Sequence, residues 1–359
     1  MSQKKREKLF LISLVLIASL AAFMFTVTEA ESEEESKKST SATQVSGQGE
    51  YVFELDLELS KMPEGITVQQ EKPFHGGFAV DRREGKGEVY FGLKGVGVVK
   101  LSNDLKTRSI IPGTQELLSK QSPHNATIFY DKEGKPFLSF PLNKDGKVII
   151  TDLQGKVIHT LTNPQHNDDY KKNPKFSPTD TDVADGKLYI VTGYGKDYVL
   201  TADPFTGKWL PQYFGGKGVE DGKFNTGHGV TTVPGEKVLY VSDRANSREQ
   251  TFDYSGTHKN TFKLPGKCMP CDIDFHPSDP SLAVVGCLNG PNRDKSVGAP
   301  IYILKNNKVI STILPKKDLG VNLATYIHNA AWKVIDGKNY ILCQSWNPGH
   351  FFVLKQVNQ

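Results

Sequence analysis

The chain has 359 residues, of which 37% are hydrophobic and 23% charged, and a formal net charge of +4. Residues 1–30 carry four basic and two acidic side chains, so the remainder holds +2, with no basic stripe of the kind that binds nucleic acid. Four cysteines are too few for a disulfide scaffold, although an exported chain could bridge a pair.

The first predicted element is a targeting segment. Lys4, Lys5, Arg6 and Lys8 precede an uncharged apolar run from Leu9 to Val27, and Thr28-Glu29-Ala30 offers a small-residue cleavage site. Residues 1–30 therefore read as a signal peptide, and the expected location is extracytoplasmic. The 19-residue apolar run is also just long enough to span a bilayer, so a membrane tether through residues 9–27 is the alternative. Residues 31–50 are acidic, then Ser/Thr/Gly-rich, and read as a disordered linker.

Residues 51–359 alternate short β-branched and aromatic runs with Gly/Asp turns, which predicts one all-β domain of antiparallel strands. Glu88-Val89-Tyr90-Phe91, Pro136-Phe137-Leu138-Ser139-Phe140 and Lys187-Leu188-Tyr189-Ile190-Val191 are such runs. Asp203-Pro204-Phe205-Thr206-Gly207 and Asp253-Tyr254-Ser255-Gly256 read as hairpin turns. A short helix is expected only at Gln115 to Lys120, and Asn163 to Asn173 reads as a polar insertion.

A repeat underlies this pattern. Ser122-Pro123-His124-Asn125-Ala126, Thr226-Gly227-His228-Gly229-Val230 and Tyr326-Ile327-His328-Asn329-Ala330 each open a β-rich segment. Cognate openings without the histidine are Phe74-His75-Gly76-Gly77-Phe78, Ser177-Pro178-Thr179-Asp180 and Met269-Pro270-Cys271-Asp272. The equivalent positions Gly76, His124, Thr179, His228, Cys271 and His328 are 48, 55, 49, 43 and 57 residues apart, one four-stranded blade each. The expected fold is thus a six-bladed β-propeller. Blades two, four and six then point His124, His228 and His328 at the axis a third of a turn apart, the geometry of a three-imidazole metal site with an open position. His75 stands one residue before its aligned position, and a surface role is expected for it, as for His159, His166, His258, His276 and His350. Trp332 and Trp346 are expected in the core or channel wall. Cys268-Met269-Pro270-Cys271 has redox or zinc spacing but lacks a second such pair, so a structural role is expected. The sequon Asn125-Ala126-Thr127 adjoins His124, where a glycan does not fit.

Further residues carry a family resemblance. Thr192-Gly193-Tyr194-Gly195, Phe214-Gly215-Gly216-Lys217-Gly218, Gly222-Lys223-Phe224-Asn225-Thr226 and Asp243-Arg244-Ala245-Asn246 look like NHL-repeat propellers. More narrowly they resemble the peptidyl-α-hydroxyglycine α-amidating lyase domain and its bacterial relatives. The resemblance implies zinc on His124, His228 and His328, with another divalent transition metal as the variant. It also implies Tyr194 as base or proton shuttle, and Arg244, with Lys94 in place of a missing family arginine, for the substrate carboxylate. A family calcium site maps onto the carbonyls of Phe78 and Ala126, but Asn329 stands where the family has an aspartate, which removes one ligand charge. The implied activity is metal-dependent cleavage of a carbinolamide C–N bond in a small or peptide-derived substrate, by a monomer. The alternative is a non-catalytic NHL propeller that serves as an extracytoplasmic binding platform.

Overall fold

The computed structural model describes residues 44–233 and 235–357, which form six antiparallel sheets arranged as the blades of a β-propeller. Blades one to five are four-stranded and span 79–110, 127–161, 180–215, 227–263 and 270–313. Blade six contains the last three strands, Ile327–Ile335, Lys338–Ser345 and His350–Gln356, joined on its outer edge by Tyr51–Asp56 and then Val45–Gln48. The ring therefore closes by pairing the N-terminal part of the domain with its C-terminal strand, Phe53 opposite Gln356 and Asp56 opposite Val353.

The strands read as continuous apolar runs because both faces of each blade are covered. In Lys187–Val191, Leu188 and Ile190 pack toward blade two, whereas Tyr189 and Val191 pack toward blade four. The same division recurs round the ring, and the buried apolar residues fall into six clusters, one at each blade interface. The cores thus lie between blades, which leaves the innermost strands free to carry polar side chains to the axis. Trp332 is fully buried in the cluster between blades five and six, whereas Trp346 is half-buried at the axial end.

Three details differ from the sequence expectations. Val45–Gln48, in the stretch read as linker, is a strand: Ser46 Oγ donates to Asp318 at 2.6 Å and Gln48 N–H to Ser311 Oγ at 2.8 Å, so these polar residues find partners on blade five. Gln115 to Lys120 forms turns rather than a helix, and the Leu118 carbonyl is taken by the Gly95 N–H at 2.9 Å. Short helices occur instead at Val68–Glu71, where Thr67 and Gln70 make a capping box, at Asp168–Lys172, capped by Asn167 within the polar insertion, and at Pro315–Asp318. The proposed signal peptide (1–30), the apolar run 9–27 and most of the proposed linker lie outside the described residues. Among the described residues no helix is long and apolar enough to cross a membrane.

Ring closure is open to a direct test. Phe53 is the fully buried side chain of the closing strand and its ring lies 6.2 Å from that of Trp332. Phe53→Ala is expected to lower unfolding free energy by about 3–5 kcal/mol, the cost of a large-to-small change in a packed core. Denaturant titration measures it, and a loss below about 1 kcal/mol would show that this strand does not lock the ring.

Candidate metal centre

The equivalent positions lie at the starts of the innermost strands. In blades four, five and six the ladder is interrupted there, with register shifts at Gly227/Val230, Pro270/Asp272 and Ile327/Asn329. A bulge re-aims the extra side chain, here His228, Cys271 and His328. In blades two and three the corresponding residues precede the strand, and the His124 and Thr179 N–H groups bond back to Pro141 and Val191 carbonyls at 2.8 Å.

The three aligned imidazoles converge. Ring centroids are 4.6 Å apart for His124 and His228, 4.8 Å for His124 and His328, and 4.7 Å for His228 and His328. A fourth imidazole joins them: the His75 ring lies 4.6 Å from that of His124 and 4.4 Å from that of His328. Ligand atoms of His75, His124 and His328 all lie within 4.8 Å of one another, so this three-histidine group could hold a metal ion. The surface role expected for His75 is thereby corrected. Blade one opens on Gly76 and Gly77, which bring no side chain to the axis, and the preceding imidazole fills the space between blades six and two. A Cβ on Gly77 would fall 1.7 Å from Asn125 Oδ1, so nothing larger than glycine fits there.

The hydrogen bonds around the cluster suit a cation. His124 Nδ1 bonds the Thr179 carbonyl at 2.7 Å, and His228 Nδ1 bonds the Cys271 carbonyl at 2.6 Å. Only a protonated Nδ1 can donate to a carbonyl, so each Nε2 carries its lone pair. Both Nε2 atoms face the Tyr194 hydroxyl, at 3.2 and 3.4 Å, and its one proton can serve only one of them. Both ring nitrogens of His328 are buried without a partner. Burial holds His124, His228 and His328 well below the ordinary imidazole range, and burial, then Arg244 and Lys144, lowers His75 to about 3. Neutral imidazoles whose lone pairs converge could hold a metal ion.

Tyr194 and Arg244 reach the cluster from two turns. Gly193 lets the Tyr194 turn sit against blade four, since a Cβ there would meet the Gly227 carbonyl at 1.8 Å. The Asp243 carboxylate accepts from Asn225 N–H at 2.8 Å and from Arg248 Nε at 2.6 Å, and fixes the turn Arg244–Asn246. Arg248, not Arg244, thus takes the aspartate. Arg244 donates to the Tyr194 hydroxyl at 2.9 Å, and its guanidinium carbon lies 5.2 Å from the centre of that ring. It is 8% exposed, makes no ion pair among the described residues and leaves its Nε unpartnered. Burial raises the Tyr194 phenol, and Arg244 opposes that rise. Lys94 is exposed on the turn after Val89–Leu93; its N–H donates to Ser122 Oγ at 3.0 Å, and no contact joins its side chain to the histidines.

The next residue of each blade forms a polar floor. Asn125 and Asn329 donate their amides to the same Asp272 oxygen, at 3.2 and 2.9 Å, and Asp180 accepts from the Val230 N–H at 2.8 Å. Gly77 and Gly229 complete the layer, and a Cβ on Gly229 would meet Asp272 Oδ1 at 2.6 Å. Below the floor a cavity of about 740 Å³ is lined by Phe78, Ala126, Asp182 and Asp274 among others, and by none of the four histidines. Phe78, Ala126 and Asn329, the proposed calcium residues, thus share one chamber; the Asn329 amide nitrogen donates to Asp272, and its side-chain oxygen is buried without a partner. Asn125 is buried, so the sequon is sealed inside the ring.

In blade five Cys268 and Cys287 form a disulfide, while Cys271 and Cys343 are free and buried. Sequence reasoning did not single out His75 or the carbonyls of Thr179 and Cys271. The empty Gly-Gly opening after His75 was the available signal.

No protein-family model and no curated protein matches the chain. Among solved structures it is similar to Kuenenia stuttgartiensis hydrazine synthase, with a TM-score of 0.41 and 13% identity, covering 61% of this chain and 55% of that one. It is also similar to a Bacteroides caccae protein of unknown function, with a TM-score of 0.46 and 14% identity, covering 72% of this chain and 84% of that one.

Proposed function

We propose that this chain is an extracytoplasmic, metal-dependent lyase, similar to the peptidyl-α-hydroxyglycine α-amidating lyases, acting as a monomer on a small carboxylate-bearing carbinolamide. The observation that carries this reading is the buried, ion-pair-free Arg244 set against convergent neutral imidazoles. A buried cation without an anion is costly, and a substrate carboxylate supplies the missing charge. His124, His228 and His328 would hold zinc or a similar divalent ion. When bound, that ion supplies Lewis acidity that acidifies a substrate hydroxyl.

In the reaction N–CH(OH)–COO⁻ loses its hydroxyl proton, the C–O bond becomes a carbonyl, and the C–N electron pair departs on nitrogen. Nitrogen gains a proton, so the products are an amide and glyoxylate. We assign Tyr194 the relay of that proton, a role supported by its hydroxyl lying beside the imidazole cluster and 2.9 Å from Arg244. Arg244 stabilises the phenolate that the relay passes through and orients the carboxylate. The Cys268–Cys287 disulfide and the basic-then-apolar N-terminal segment support export into an oxidising compartment.

The test is glyoxylate release from an N-acyl-α-hydroxyglycine by the metal-replete chain. Arg244→Ala is expected to raise KM about 10- to 100-fold, the worth of a charge-assisted hydrogen bond. Failure of fully metallated wild-type protein to release glyoxylate would refute the lyase assignment.

A further inference from the structure

Given the metal reading above, on which this step rests, we infer that His75 is a fourth metal ligand, so that the resting site is closed by four imidazoles. Its ring touches the rings of both His124 and His328, and its ligand atom lies within 4.8 Å of theirs. Both ring nitrogens of His328 are buried without a hydrogen-bond partner. Tetrahedral ligation at about 2.0–2.1 Å places donor nitrogens about 3.3 Å apart, so modest side-chain rotation brings these atoms into register, at the cost of the Tyr194 contact to His124 Nε2. Trp346 lies against the other side of His75, with ring centroids 5.4 Å apart and planes tilted by 35°, and holds the imidazole toward the cluster.

The position of His75 also explains why blade one departs from its cognates. Its aligned residue, Gly76, carries no side chain, and a Cβ there would lie 3.0 Å from the Pro123 carbonyl. The preceding residue, His75, supplies the imidazole on this side of the cluster. A site with three ligands binds an incoming oxygen directly, whereas a site with four must first release one. His75 and His328 both lack the carbonyl tether that fixes His124 and His228, and His75, which stands outside the aligned triad, is the member we assign to displacement.

The experiment loads the full-length chain with Co²⁺ and counts imidazoles by cobalt-edge X-ray absorption in wild type, His75→Gln and His124→Ala. Four imidazoles are expected in wild type and three in His75→Gln. Cobalt affinity should weaken by at least the roughly 10- to 100-fold that loss of an outer-shell partner costs. Azide should perturb the visible cobalt spectrum far more in His75→Gln than in wild type. Loss of cobalt from His75→Gln with unchanged circular dichroism would also support ligation. Three imidazoles in both wild type and His75→Gln, falling to two in His124→Ala, would overturn the role of His75 and leave the metal site standing. Wild-type protein that binds neither cobalt nor zinc would overturn both readings.

Discussion

Replacing His124, His228 and His328 together by alanine is expected to take the purified chain from about one tightly bound transition metal to none, with the ring still folded. The three imidazoles come from blades two, four and six, and a lone His75 has no partner with which to hold an ion. The fold should survive because none of the three belongs to the apolar clusters between blades, where the stabilising burial lies. Elemental analysis alongside circular dichroism reads both quantities. Equal metal content in wild type and triple variant would place the ion elsewhere.

Tyr194→Phe should lower turnover of an α-hydroxyglycine substrate by about 10²- to 10⁴-fold, a barrier increase on the order of 3–5 kcal/mol, while KM and metal content hold. The substitution removes one hydroxyl, the group that meets His124 Nε2, His228 Nε2 and Arg244. It keeps the ring over which the Arg244 guanidinium lies. The effect therefore belongs to proton transfer rather than to collapse of the pocket. A turnover within a fewfold of wild type would remove Tyr194 from the chemistry.

Much of this architecture was legible in the residues alone. Blade count followed from the spacing of Gly76, His124, Thr179, His228, Cys271 and His328, because a propeller repeats one supersecondary unit and must repeat its polar axial positions too. The convergence of three imidazoles followed from their alternation. Less legible were features set by absence or by distance along the chain. His75 lies out of register, and only the missing side chains of Gly76 and Gly77 open the axis to it. Val45–Gln48 has a polar composition that resembles a linker, and its partners, Ser311, Thr312, Leu314 and Asp318, lie over 260 residues away. Arg244 was legible as a site residue, but its freedom from Asp243 depends on Arg248, four positions on, which captures that carboxylate instead.

On the proposed lyase reading, the floor formed by Asn125, Asp272 and Asn329 would set the traffic of the reaction. Two amides converge on one carboxylate beneath the imidazoles, and a layer so bonded would leave reactant and products to share the opposite mouth. Glyoxylate would keep the carboxylate assigned to Arg244, and on its way out would compete with the next reactant for the same guanidinium. Accumulated glyoxylate would then slow turnover by occupying Arg244 rather than by hindering bond cleavage.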